Sequence, residues 1–299
     1  MSIDIRPIQP QVSPTFAGEV FDVDLRQPLT PTDIAAIHAG MDKHAVLVFH
    51  GQQMTDDEHL AFTKLLGPVQ DNAAANVIKA EERRLPLDFS DVSNLDKNEK
   101  LLARDDRRRM FSLGNRLWHS DASFRAIPAK YSLLYGHVVP PAGGDTEFAD
   151  MRQAYDTLDA ATKAEIEDLV CQHSNLYSRA LIGFTEFTEE DLRMFKPVLQ
   201  RLARYHPVMD RKTLYMSAHI GGIVGWPRPE AMAFIRDLME HATQRPFVYA
   251  HKWQQGDLVI WDNRQTMHRV RRFDDQKHVR DMRRTTIMCE GPTVAQQAA

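Results

Sequence analysis

The chain has 299 residues, 43 % of them hydrophobic and 26 % charged, with a formal net charge of −4 and a pI near 6.4. That length is ample for a large domain with a buried core, and one domain over 1–299 is expected. No basic field exists to attract nucleic acid or an anionic membrane surface, so neither is expected as a partner.

Cys171 and Cys289 lie far apart without a C-x-x-C, which excludes a zinc ribbon or thioredoxin-type site and fits a reduced, cytoplasmic protein. The first residues carry Asp4, Arg6, Pro7, Pro10 and Pro14 and do not read as a secretory signal. No stretch approaches the roughly 20 apolar residues that span a bilayer.

In chain order, 21–25 (F-D-V-D-L) alternates like a strand. Pro31 and Thr32 open a helix with Ile34, Ile37 and Met41 on one face. The run 45–49 (A-V-L-V-F) reads as a buried strand. Thr55 and Glu58 form a capping box for a helix through Leu65. From 70 to 112 the pattern fails, apart from a short strand expected at Val92. A segment this long and charged is expected to be an active-site lid or loop insertion.

Further along, 131–139 is strand-like up to Pro140-Pro141, and 146–148 suggests another strand. Asp150 caps a helix through Tyr155, and Asp159 caps one expected to run to Val170. A hairpin is expected over 203–217, then an amphipathic helix from Pro229. Strands at 247–253, 258–261, 266–270 and 283–288 close the chain. Strands without regular β-α-β alternation argue for a mainly β fold with added helices, a sandwich or jelly roll. No phosphate-binding glycine loop or nucleophile elbow is present.

His119-Ser120-Asp121 is the H-x-D of the chain. On a strand, residues two apart share a face, so one imidazole and one carboxylate can meet one ion. Taken alone, a His and an Asp bonding their neighbours is the plainer reading. A third, distant ligand would complete a facial triad with open positions. His268, after the apolar strand ending at Trp261, is the candidate, although a lone histidine there is also an ordinary core residue. Arg280 and Arg284 lie four apart, on one strand face about 13 Å from each other. Either can grip a carboxylate through its fork, or both can belong to a solvated basic tail.

Longer stretches carry a resemblance. They are W-H-S-D at 118–121, P-P-A-G-G-D-T-E-F-A-D-M at 140–151, G-D-L-V-I-W-D-N-R at 256–264 and H-R-V-R-R-F-D from His268. V-L-V-F-H-G-Q at 46–52, H-A-T-Q-R-P-F-V-Y at 241–249 and R-D-M-R-R-T-T at 280–286 add to them. In these the chain resembles the Fe(II)- and 2-oxoglutarate-dependent taurine and 2,4-dichlorophenoxyacetate dioxygenases, more closely the phenoxyacetate enzymes. The resemblance implies a double-stranded β-helix (jelly roll) with Fe(II) on His119, Asp121 and His268. It implies that Thr146 and Arg280 bind the distal carboxylate of 2-oxoglutarate, with O2 as the other co-substrate. Asn115, His219 and Arg284 match substrate-binding positions.

The stretch from His268 to Arg280 is one residue longer than in those relatives, and Arg283 adjoins Arg284. The four-residue spacing and strand parity select Arg280 with Arg284.

The implied reaction decarboxylates 2-oxoglutarate to succinate and CO2 and hydroxylates a C–H of a small anionic substrate. An aryloxyalkanoate is the first choice, cleaved to a phenol and a 2-oxo acid. A taurine-like alkylsulfonate is second. Rivals of other classes are a jelly-roll binding protein without catalysis and a metal-assisted hydrolase. A homo-oligomer is expected.

Overall fold

A computed structural model describes residues 3–71 and 80–295. Among these residues the strands lie in layers, as a jelly roll requires. A seven-stranded sheet runs in the order Asp4–Pro7, Gly18–Phe21, Val46–Phe49, Leu258–Asp262, Ala129–Val138, Asp281–Met288, Ser90–Asp91. Its pairings are antiparallel except between Gly18–Phe21 and Val46–Phe49. A second sheet places Thr146–Asp150 between Val248–His251 and Thr266–Val270.

Alternation along the strands sorts the side chains between two cores. Val46, Val48, Val259 and Trp261 point toward Phe148 and Tyr249 of the second sheet. Leu47, Phe49, Leu258 and Ile260 face the other way, toward Ile37 and Met41 of the Pro31–His44 helix and Phe62 and Leu66 of Asp56–Leu66. With both faces covered, Leu258–Asp262 is buried throughout, which is why it reads L-V-I-W before Asp262. The outer face of the second sheet offers Ala149 and Met267 to Ile235 and Leu238 of the Arg228–Ala242 helix.

Thr30 and Thr55 cap their helices with complete capping boxes, contributions of about 1 kcal/mol each. Several expectations shift. The strand expected at 21–25 is Gly18–Phe21, because Asp22 turns the chain at φ 59°. The helix after Asp159 ends at Ile166, and Val170–His173 is a strand paired with Val198–Arg201 and Ile220–Ile223.

The segment expected as a patternless lid is partly built. It contains Ser90–Asp91, a bridge from Leu95 to Leu101 and the helix Arg107–Ser112. The part of it at 72–79 lies outside the described residues. No helix among the described residues is long and apolar enough to cross a membrane.

Candidate active site

The site grows from one backbone bridge. His268 sits on Thr266–Val270, one edge of which pairs with Thr146–Asp150. On its free edge, His268 N–H donates to His119 O (2.8 Å) and His119 N–H donates back (3.0 Å). The two imidazoles are thereby held side by side, ring centroids 4.2 Å apart. Asp121 follows in a turn, so the expected regular strand through 119–121 is replaced by a bridge and a bend.

The bend is held by buried side chains. Asp121 N–H donates to Asn263 Oδ1 (2.9 Å), and Asp121 Oδ2 accepts from Ser132 Oγ (2.7 Å). His119 Nε2 lies 3.9 Å from Asp121 Oδ1, and His268 Nε2 lies 3.6 Å from Oδ2. The three candidate ligand atoms lie within 4.8 Å of one another.

The donor chemistry fits a divalent transition metal. Burial lowers the pKa of both histidines, so the imidazoles are neutral. Burial raises that of Asp121, but the Arg284 guanidinium, foremost among the opposing causes, helps outweigh it and hold the carboxyl at about 2. His119 Nδ1 is bonded to Leu117 O (2.8 Å), which leaves Nε2 with its lone pair for an ion. Two neutral imidazoles and one carboxylate are the set that suits non-haem iron with open positions.

Two cavities border this cluster. The smaller, about 30 Å³, is lined by Thr146, Trp261, His268, Val270, Arg280 and Arg284, among others. Arg280 is 4 % exposed, and among the described residues its guanidinium donates to the carbonyls of Val92 and Gly144, each at 3.4 Å. Its Nε has no partner, and burial lowers its pKa to about 10, leaving a cation at neutral pH. No carboxylate pairs with it among the described residues. Thr146 Oγ1 accepts from Trp253 Nε1 (2.9 Å), so its own hydroxyl hydrogen remains free to donate.

The larger cavity, about 200 Å³, reaches His119, Asp121, Asn115, His219 and Arg284. Phe89, Leu102 and Phe111, all from the segment expected as a lid, form part of its wall.

Every residue singled out in the sequence thus borders one of these cavities. Arg283 instead turns away to Asp56 (2.5 Å) and Asp281 (3.1 Å), in keeping with the Arg280/Arg284 register. Arg284 is also ion-paired to Asp121, a contact its sequence position did not foretell. Asn263 and Ser132, which hold Asp121, were missed, although Asn263 lay within a quoted motif.

The model of the family described as "Taurine catabolism dioxygenase TauD, TfdA family" matches residues 4–286. This chain belongs to that family. The TauD/TfdA relatives include an alpha-ketoglutarate-dependent 2,4-dichlorophenoxyacetate dioxygenase of Cupriavidus pinatubonensis. It is 41 % identical over 96 % of this chain and 98 % of its own. An (S)-phenoxypropionate/alpha-ketoglutarate-dioxygenase of Delftia acidovorans is 31 % identical over 88 % of this chain and 90 % of its own. The crystal structure of AAD-2, in complex with Mn(II) and N-oxalylglycine, superposes with a TM-score of 0.94. It shares 56 % identity, covering 98 % of this chain and 100 % of that one. As a TauD/TfdA member the chain is a jelly-roll dioxygenase dependent on Fe(II) and 2-oxoglutarate, which sets aside the binding-protein and hydrolase readings.

Proposed function

We propose that this enzyme hydroxylates the ether carbon of a small aryloxyalkanoate, releasing a phenol and a 2-oxo acid. In this reading His119, Asp121 and His268 hold Fe(II), and Thr146 with Arg280 takes the distal carboxylate of 2-oxoglutarate. The observation that carries it is the buried Arg280 without a counter-ion, in the small cavity that also touches His268. A guanidinium so placed, beside a hydroxyl free to donate, asks for a carboxylate.

Fe(II), when bound, couples oxidative decarboxylation of 2-oxoglutarate to oxygen insertion into a substrate C–H. The chain's part is positional. Thr146 and Arg280 fix one end of the co-substrate, and Arg284 neutralises the Asp121 carboxylate. Asn115, His219 and Arg284 border the substrate, and Phe89, Phe111, Phe124 and Leu102 give it an apolar stretch of an otherwise polar cavity wall. Once the ether carbon bears a hydroxyl, that hydroxyl loses its proton and forms the carbonyl of the 2-oxo acid, the bond between this carbon and the ether oxygen breaks, and the departing oxygen takes a proton to leave as the phenol. The relatives' aryloxy substrates and this wall support an aromatic substrate over an alkylsulfonate.

The test is an anaerobic titration with Fe(II) and 2-oxoglutarate, then succinate release across a panel of aryloxyacids and alkylsulfonates. Aryloxyacid-dependent succinate and phenol are expected, and turnover of alkylsulfonates alone would overturn the substrate. His268→Ala is expected to lose stoichiometric Fe(II) in equilibrium dialysis. Arg280→Ala should raise the KM for 2-oxoglutarate about 30-fold or more, the worth of a charged hydrogen bond, and leave that for the aryloxyacid within about 3-fold.

The 70–112 segment, which supplies wall residues from Glu82 to Ser112, is proposed to act as a lid, with 72–79 outside the described residues. Two buried free thiols support a reducing, cytoplasmic setting. A homo-oligomer is proposed as well, and sedimentation checks it.

A further inference from the structure

Among the described residues, two of the buried arginines have an acidic partner, Arg152 with Asp150 and Arg264 with Asp262. The half-buried Arg84 has Asp91 and Asp281, and the half-buried Arg284 has Asp121. Three buried arginines have none. Arg280 is accounted for by the co-substrate, and Arg204, against Cys289 and Tyr215, borders neither cavity. The third is Arg179, on the Asn175–Leu181 helix, 6 % exposed and on the wall of the large cavity.

Its partners are all neutral. Nη1 donates to Ser178 Oγ (2.9 Å), Nη2 to Asn115 Oδ1 (3.3 Å), and the guanidinium lies 4.4 Å from the Phe111 ring centroid. Nε has no partner. Burial lowers its pKa to about 9, so it stays charged at neutral pH. Leaving a charge desolvated and unpaired costs several kcal/mol, a cost that an incoming anion offsets.

We propose that Arg179 is the anchor for the substrate's carboxylate, an assignment that rests on the aryloxyalkanoate reading and gives its anion a place. Arg284, expected in that role, is already engaged by Asp121. The geometry is suited to the reaction. In an aryloxyacetate the carbon to be hydroxylated carries the carboxylate itself, so the anchor must stand beside the metal cluster. Arg179 does, because Ser178 Oγ, which accepts its Nη1, also bonds His219 Nδ1 (2.9 Å). The His219 ring in turn lies 5.9 Å from that of His119. Phe124, edge-on to His219 at 5.0 Å, and Phe111 leave apolar surface for the aryl group. The planar fork of an arginine matches a carboxylate in two parallel hydrogen bonds.

The experiment compares phenoxyacetate with neutral phenoxyacetamide by calorimetric titration into anaerobic enzyme loaded with Fe(II) and 2-oxoglutarate. Wild type is expected to favour the acid by about 30-fold or more, and Arg179→Met to bring the ratio within about 3-fold, with 2-oxoglutarate affinity unchanged. Gly114→Ala is an independent route to the same end. A Cβ there would stand 2.7 Å from Cζ, Nε and Nη1 of Arg179, displacing the guanidinium while keeping its charge in the chain. Its acid preference should collapse likewise. An acid preference kept in Arg179→Met and lost in Arg284→Met would overturn the assignment. If wild type binds neither phenoxy ligand, the aryloxyalkanoate reading fails instead. The anchor is then read from butanesulfonate against butanesulfonamide with the same variants, where an unchanged ratio in Arg179→Met overturns it too.

Discussion

At the residue scale, Asn263 governs the carboxylate arm of the triad. Its Oδ1 accepts from both Asp121 N–H and Trp261 Nε1 (3.1 Å), and its Nδ2 donates to Ser132 Oγ (3.0 Å). Ser132 then donates to Asp121 Oδ2, so a single buried amide fixes both the backbone and the side chain of the candidate ligand. Asn263→Ala removes this support without touching a ligand atom. Fe(II) binding, followed by anaerobic titration, is expected to weaken by about 10- to 100-fold, as loss of an outer partner usually does. Unaltered affinity would mean that Ser132 and Arg284 suffice to hold the carboxylate.

At the scale of elements, the wall of the large cavity is clamped by Arg84. Its guanidinium binds Asp91 through Nε and Nη2 (both 3.0 Å) and Asp281 through Nη1 (2.9 Å) and Nη2 (2.5 Å). Asp281 opens the strand that carries Arg284, so the clamp ties the wall to the metal side of the site. Arg84→Ala leaves Asp91 without its cation and Asp281 with Arg283 alone, and is expected to cost about 3 kcal/mol. Amide exchange over 80–95 should quicken, and the KM for the aryloxyacid should rise more than that for 2-oxoglutarate. Exchange as slow as in wild type would show that the wall is held by its apolar contacts alone.

The same element shows what a sequence reveals and what it hides. Leu258–Asp262 was legible because two covered faces demand an apolar run, and the helix starts at Thr30 and Thr55 because capping is local. Ile220–Ile223, I-G-G-I, was not, since its strand character comes from the pairing with Val170–His173. Arg107–Ser112 was hidden by its three arginines. The H-x-D was visible, but the bend that aims it depends on Asn263, a residue far along the chain, and Arg179 and Arg84 acquire their meaning only from the fold.

At the scale of the whole molecule, burial of neutral histidines ties stability to pH. His59 is fully buried between Phe89 (5.4 Å) and Tyr135 (6.1 Å), and His173 is fully buried and stacked on Tyr215 (6.0 Å). Burial is the main cause that lowers both to about 3. The unfolded chain takes up a proton at each near pH 6.5, whereas the fold refuses it until about pH 3. Protonation therefore favours unfolding, and the stability these residues carry is full above pH 7 and lost as pH falls from 6.5 toward 3. Between pH 7 and pH 5 the loss is about 2 kcal/mol for each histidine. Urea unfolding of metal-free protein should show this decline, with the buried triad histidines adding to it in the same direction. His173→Gln keeps a hydrogen-bonding group near Ser123 but cannot titrate, so it should flatten the profile by that same 2 kcal/mol share. A variant whose stability falls with pH as steeply as wild type would show that His173 already takes up its proton within the fold.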